Sequence, residues 1–291
     1  MRMVIHLPVM LKEVLDGLMI KENGIYVDGT IGTGGHAEGI LRAAKGCVVI
    51  GIDKDESAIK IAGERLAGYN LYLVREDFSN MDLIVKSLGY EVVDGILLDL
   101  GLSSLQLKDT GRGFSFLSDE PLDMRMDRRQ RLTAYEIVNN YSEDALATLI
   151  YKYGEERFSR RIARAIVRER ERAPISSCKE LAGIIERTVG RRGRIHPATR
   201  TFQALRIEVN KELDALSTVI DKGAGILRKG GRFCILSYHS LEDRIVKNAF
   251  KRLSKEGIFN IITKKPLKPS TEEVCSNPSS RSARLRIGER S

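Results

Sequence analysis

Over the first hundred residues, apolar positions follow two alternating rhythms. Short runs rich in β-branched residues predict strands at Ile25–Asp28, Cys47–Asp53, Leu71–Val74 and Val93–Leu100. Between them, apolar residues recur at helical spacing over His36–Ala44, Glu56–Leu66 and Asn80–Leu88, and a further helix is predicted over residues 8–19, with Pro8 near its first turn, where a missing N–H costs little. Strands alternating with helices of this size predict a parallel sheet covered on both faces.

After Leu100 the strand signal stops. Roughly a hundred residues of helical periodicity follow, dense in arginine. Phe158, Ile162, Ala165 and Ile166 would share one helical face, with Arg160, Arg161, Arg164 and Arg168 on the rest. Ser177 and Glu180 have the spacing of a capping box. Pro197 stands near the start of a long helix predicted to run through Leu205, Val209 and Leu213. The strand signal returns at Arg232–Ser237, after a Gly230–Gly231 turn, followed by a helix over Leu241–Leu253 and extended runs at Phe259–Lys264 and Ala283–Ile287. The pattern therefore predicts an α/β sheet domain in two pieces, 1–106 and 215–291, with an all-helical domain over 107–214 inserted between its fourth and fifth strands.

The chain has 291 residues, 42% hydrophobic and 30% charged, enough to bury a sizeable core. No apolar run reaches the ~18 residues of a membrane span. Lys12, Glu13 and Asp16 interrupt the N-terminal apolar stretch, so no secretion signal is read and the expected location is the cytoplasm. Cys47, Cys178, Cys234 and Cys275 form no C-x-x-C pair, so neither a zinc site nor a disulfide framework is suggested and no metal ligands are assigned, and Cys47 and Cys234 read as buried small hydrophobes. Charge changes the picture more. The net charge of +9 divides into −5 over residues 1–106 and +14 over 107–291. An acidic first part and a basic remainder suit a cationic small ligand and a polyanion respectively.

The acidic part carries the first candidate chemistry. Asp28-Gly29-Thr30-Ile31-Gly32-Thr33-Gly34-Gly35-His36 joins the first strand to the first helix of the alternating series. Its glycines allow a tight turn and close approach of backbone to ligand. Alone, such a loop fits a nicotinamide cofactor, a nucleotide or a plain turn. The acids narrow it. Asp28, Asp53 and Asp99 end strands, and Asp77-Phe78 follows the third. Carboxylates at the carboxyl ends of successive parallel strands converge on one crevice. A phosphate would be poorly served there; a sulfonium cation carrying a ribose would be well served. The pattern resembles the S-adenosylmethionine-dependent methyltransferases with a Rossmann-like seven-stranded sheet, whose first motif usually has glycine where Thr30 stands here.

A narrower resemblance spans nearly the whole chain. The loop just quoted, together with His6-Leu7-Pro8, Asp99-Leu100-Gly101 with Ser103, Ser104 and Gln106, Arg112-Gly113-Phe114-Ser115-Phe116 and Pro121-Leu122-Asp123-Met124-Arg125-Met126, is similar to the bacterial 16S rRNA cytosine-N4 methyltransferases of the MraW type. So are Tyr153-Gly154-Glu155-Glu156, the run His196-Pro197-Ala198-Thr199-Arg200, Ser237-Tyr238-His239-Ser240-Leu241-Glu242-Asp243-Arg244 and Asn277-Pro278-Ser279-Ser280-Arg281. The resemblance implies S-adenosyl-L-methionine as cofactor and methylation of N4 of a decoding-centre (P-site) cytidine in 16S rRNA within the small ribosomal subunit. It implies cofactor contacts at Gly34, Gly35, His36, Asp53, Phe78, Asp99 and Gln106. No membrane partner is expected, and a homodimer is left open.

Methyl transfer from a sulfonium needs positioning more than leaving-group activation. The cytosine amine is the weak partner, since its lone pair is delocalised into the ring, and an acceptor beside it would draw density onto nitrogen and take a proton. Asp99, or a backbone carbonyl of its turn, is placed for this, with Ser103 or Ser104 assisting. The Pro-Pro of many amine methyltransferases does not follow Asp99. His239 and His196 are alternative proton carriers. Phe114, Phe116 or Tyr238 could stack on an unstacked base. Arg160 to Arg172, Arg191-Arg192-Gly193-Arg194 and Arg281, Arg284 and Arg286 are candidate phosphate contacts. A methyltransferase with another substrate, an RNA-binding protein without activity and a nicotinamide oxidoreductase remain as rival classes.

Overall fold

The structure, a computed structural model, describes residues 8–102, 111–191 and 196–291. The chain divides into two compact units, Met1–Ser103 with Leu213–Ser291, and Ser104–Glu212.

The first unit is built on one sheet. Its strands are β1 (Ile25–Asp28), β2 (Val48–Asp53), β3 (Leu71–Arg75), β4 (Val93–Asp99), β5 (Leu227–Ser237), β6 (Phe259–Ile261) and β7 (Arg284–Arg290). They lie in the order β3-β2-β1-β4-β5-β7-β6. The first five strands pair in parallel, and β7 runs antiparallel between β5 and β6. This is the expected α/β class. The first four strands fall within two residues of the sequence reading because central parallel strands, covered on both faces, are almost continuously apolar. β4 shows it: Val93 to Leu98 are all buried.

Alternate residues feed two cores. Tyr26, Val49, Leu97 and Cys234 face α1 (Leu11–Leu18), α2 (Gly35–Ala43) and α3 (Glu56–Arg65), through Val14 and Leu18, Ala37 and Ile40, and Ala62. Val27, Ile50, Ile96 and Phe233 face the other way. There they meet Met81 and Val85 of α4 (Met81–Ser87), Leu216 and Ile220 of the helix Glu212–Ile226, and Val246 and Phe250 of the helix Ser240–Lys255. Cys47 and Cys234 are buried, as expected.

Three local readings change. The first helix starts at Leu11, because Met10 takes a left-handed conformation (φ 52°) that cannot continue a helix back to Pro8. The Gly230–Gly231 turn does not precede β5 but lies inside it as a bulge: the register jumps from Val93↔Leu227 to Gly95↔Arg232. The long helix expected through Leu213 is two helices, broken at Lys211 (φ 51°).

The second unit is helical: α5 (Ala134–Asn140), α6 (Glu143–Gly154), α7 (Ser159–Arg170), α8 (Cys178–Val189) and α9 (Thr199–Asn210). The helix Glu212–Ile226 is α10, Ser240–Lys255 is α11 and Thr271–Ser276 is α12. Thr133, Ser142 and Ser177 cap α5, α6 and α8, each accepting from the N–H three residues on. Glu180 does not return the bond to Ser177; its carboxylate accepts from the N–H of Ser176 at 2.9 Å. The predicted apolar face of α7 is present, with Ile162, Ala165 and Ile166 buried. Among the described residues no helix is long and apolar enough to cross a membrane.

Candidate functional site

Because β1, β2 and β4 are parallel, their last residues share one rim of the sheet, and those residues are Asp28, Asp53 and Asp99. β1 and β4 are neighbours with α-helical connections leaving in opposite senses, the kind of switch point where α/β sheets open a crevice. The loop after β1 is shaped by glycine. Gly34 has φ 82°, and a Cβ there would stand 2.9 Å from Leu66 Cδ1. Gly34 is also the N-cap of α2 and offers no side chain to cap it.

The three acids are held by different means. Asp28 is 1% exposed and accepts from the Thr30 N–H at 3.2 Å. Burial pushes its carboxyl up to about 7 against that hydrogen bond, with the charges of Asp99 and Asp53 adding to the rise. Asp53 accepts one backbone N–H on each oxygen, Gly32 at 3.0 Å and Asp55 at 2.9 Å. Burial outweighs these two bonds and brings it to about 6. Asp99 has its N–H donated to Thr30 Oγ1 at 2.6 Å, and its Oδ1 accepts the Tyr238 hydroxyl at 2.6 Å. Burial raises Asp99 to about 7 although the tyrosine bond lowers it. The Tyr238 phenol is itself driven well above its ordinary value by burial and by the Asp99 charge.

His36 joins this group. Its Nε2 lies 2.9 Å from the Val9 carbonyl, which can only accept, so Nε2 carries a proton. Its Nδ1 stands 3.8 Å from Asp99 Oδ2. Gly101 closes the turn after β4: at φ 104° it lies against the Tyr238 ring, where a Cβ would meet Cδ2 at 3.3 Å.

The structure thus brings Gly34, His36, Asp53 and Asp99 to one rim, with Phe78 beside Gly29. It diverts Asp77. Lys54 Nζ sits 2.8 Å from its Oδ2, and its Oδ1 caps Ser79 at 2.8 Å. Burial would raise this carboxyl, yet Lys54 and Ser79 hold it below the usual range. The same ammonium lies 6.0 Å from the Phe78 ring centroid. His239 serves as the N-cap of α11. Its Nδ1 accepts from the Glu242 N–H at 3.4 Å, while its Nε2 is 3.1 Å from Glu242 Oε1, an ion-pair distance without hydrogen-bond alignment. In the helical unit His196 stacks on Phe116, centroids 4.6 Å apart, and Phe114 is buried beneath Arg112. Arg286, expected on a phosphate-binding surface, is buried against Asp243, with Nε 2.6 Å from Oδ1. Ser103, Ser104, Gln106, Arg192 and Arg194, with His6 and Leu7, lie outside the described residues.

Sequence reasoning missed the roles of Thr30, Lys54 and the Tyr238 hydroxyl. Thr30 did carry a signal, since it departs from glycine at a motif position. The other two act on partners distant along the chain, Asp77 and Asp99, and left none.

The sheet order with its closing antiparallel pair defines a Rossmann-like methyltransferase fold. A candidate rRNA-methylase from Clostridium thermocellum shares that fold at a TM-score of 0.50 and 13% identity, covering 99% of this chain and 100% of that one. The chain belongs to the MraW methylase family, whose profile matches residues 3–291. It is 50% identical over 283 residues to ribosomal RNA small subunit methyltransferase H of Coprothermobacter proteolyticus, covering 97% of this chain and 95% of that protein. It is 48% identical to the protein of the same name from Sulfurihydrogenibium sp., covering 99% and 100%.

Proposed function

We propose that this protein transfers a methyl group from S-adenosyl-L-methionine to small-subunit ribosomal RNA, and that the acceptor is N4 of a P-site cytidine in 16S rRNA. The observation that carries the reading is the rim of three carboxyls, buried Asp28 and half-buried Asp53 and Asp99, in a chain half identical to proteins named for small-subunit rRNA methylation. The residues fit the donor. Desolvation raises all three acids, and for Asp53 it does so against the opposing charge of Lys54; a sulfonium would favour their charged forms, whereas a phosphate would add further negative charge.

In this reading the N–H groups at the start of α2, beside Gly34 and Gly35, take the donor's carboxylate. Asp53 keeps lone pairs beyond those used by Gly32 and Asp55 and takes the ribose hydroxyls. Phe78 lies along the adenine. Bound there, the donor supplies an electrophilic methyl on a good leaving group.

Asp99 is the group that receives the cytosine amine. Tyr238 fixes its Oδ1, and Thr30 fixes its backbone, so the carboxylate cannot swing. Its Oδ2 accepts a hydrogen from N4 and, after the methyl has been transferred, takes the proton. By the sequence and its family resemblance, Ser103 assists Asp99 and Gln106 contacts the donor. His239, bound up in its helix cap, is the weaker candidate for moving the proton.

The test is tritiated-methyl transfer to small subunits and to naked rRNA, followed by nucleoside digestion. Label in N4-methylcytidine is the expected result. Label in any other nucleoside overturns the N4 assignment, and no transfer to either substrate overturns the methyltransferase reading.

A further inference from the structure

The helical unit contains a concavity between α7 and α8 lined by Arg161, Arg164, Arg168 and Arg187, with Ala165, Ile184 and Thr188 as its walls and Glu169 as its one acid. Arg161, Arg164 and Arg168 fall at i, i+3 and i+7 and so share one face of α7 over ~10 Å of helix, and Arg187 faces them from α8. Gathering four guanidinium groups over apolar walls costs self-repulsion that a folded domain gains nothing by accepting.

Two of these arginines, Arg164 and Arg168, are not spent on the fold. The side chains of Arg164 and Arg168 are 75% and 68% exposed, and their carboxylate contacts are long: Arg164 to Glu143 at 3.4 Å and Arg168 to Glu169 at 3.6 Å. Arg161 differs. Its guanidinium lies over the Phe158 ring, 5.5 Å from the centroid, and donates to the Thr188 carbonyl at 2.8 Å. It is thereby a fixed charge at one end of a stripe of adaptable ones.

We propose that this concavity binds the phosphodiester backbone of a single-stranded segment of RNA. Guanidinium forks match phosphate oxygens bidentately, which favours phosphate over a carboxylate-bearing peptide chain. The row of arginines is longer than one phosphate, which favours a chain of them over a free ion. The proposal rests on the RNA-substrate reading above and gives that substrate a contact surface.

The test compares wild type with R164Q/R168Q/R187Q, leaving Arg161 in place, and with R164K/R168K/R187K. Binding of a single-stranded fragment of small-subunit rRNA is measured across a salt series, alongside donor affinity and thermal midpoint. The glutamine variant should bind RNA about tenfold or more weakly, with a log K against log salt slope shallower by about 2. Its donor affinity and midpoint should not move. The lysine variant should keep the wild-type slope while losing part of the affinity. Inorganic phosphate and poly-glutamate are the competitors. Displacement of RNA by millimolar phosphate would mean a free-ion site, and displacement by poly-glutamate an acidic-peptide site; either overturns the proposal. So does an unchanged slope in the glutamine variant, or no RNA binding by wild type. Methyl transfer by wild type is scored separately. Transfer with an unchanged slope sinks only this surface, while a lost slope without transfer sinks only the methylation reading.

Discussion

The sheet rim and the α7–α8 surface handle charge in opposite ways. At the rim the acids are pinned: Asp53 by Gly32 and Asp55, and Asp99 by Tyr238 with its backbone anchored on Thr30. On the helical surface, Arg164 and Arg168 are largely exposed and hold only long contacts. A group that must meet one small ligand at fixed geometry is worth pre-organising, because every rotamer frozen beforehand is one not frozen on binding. A surface that meets a flexible polyanion draws on charge and released counterions, which tolerate movement.

That contrast can be broken at several points. The largest effect should come from Asp99→Asn, which keeps the shape and the Tyr238 bond but not the basicity. Methyl transfer at saturating donor and RNA should fall about 100-fold or more, read by single-turnover rates. A raised donor Kd with an unchanged saturated rate would reduce Asp99 to a holder of the cofactor. Tyr238→Phe removes a bond that lowers the Asp99 pKa, so the acidic limb of the rate profile should move to higher pH. An unmoved limb would show that the tyrosine does not tune that carboxyl.

Next, Asp53→Ala should cost about 1.5–3 kcal/mol of donor affinity by calorimetry, the range for hydrogen bonds to a charged group. RNA affinity should be unaffected, and unchanged donor binding would remove Asp53 from the ribose.

The smallest effect is also the most general. Asp28, Asp53 and Asp99 have folded values near 7, 6 and 7, all above the ordinary 3.8. Between about pH 4 and 7 the folded protein therefore binds more protons than the unfolded chain, so these groups' contribution to stability declines as pH rises through that window and levels off above it. Binding of the cationic donor runs the other way. Affinity for S-adenosylmethionine should strengthen from about pH 5.5 to 7.5, and affinity for S-adenosylhomocysteine, uncharged at sulfur, should strengthen less. Identical pH profiles for the two would mean that the carboxyls do not sense the sulfonium.

Much of the rim was legible in the sequence, and for a physical reason. β1 is the apolar run 25–27 plus the residue that ends it, Asp28, because a strand buried on both faces has few polar positions to blur its limits. What could not be read depends on partners far along the chain. Asp77 looks like its neighbours on the rim until Lys54 is seen beside it. His239 has the same side chain whether it moves protons or caps α11. Lys211 is a good helix former inside a continuous helical pattern, yet it breaks the helix. On either side of it Asn210 donates to the Met124 carbonyl and Glu212 receives the fork of Arg206, so tertiary bonds override local preference.

The pairing of Asp99 with Leu236 spans the whole helical unit in sequence. In equilibrium terms so long an excursion is cheap, since each doubling of a loop adds only about 0.6 kcal/mol. The burden falls on the nascent chain. Until β5 leaves the ribosome, β4 is a mostly apolar edge strand with half its backbone unpaired, the kind of edge to which stray strands add. Slowing synthesis through the helical unit would prolong that exposure, and the yield of folded protein should depend on it.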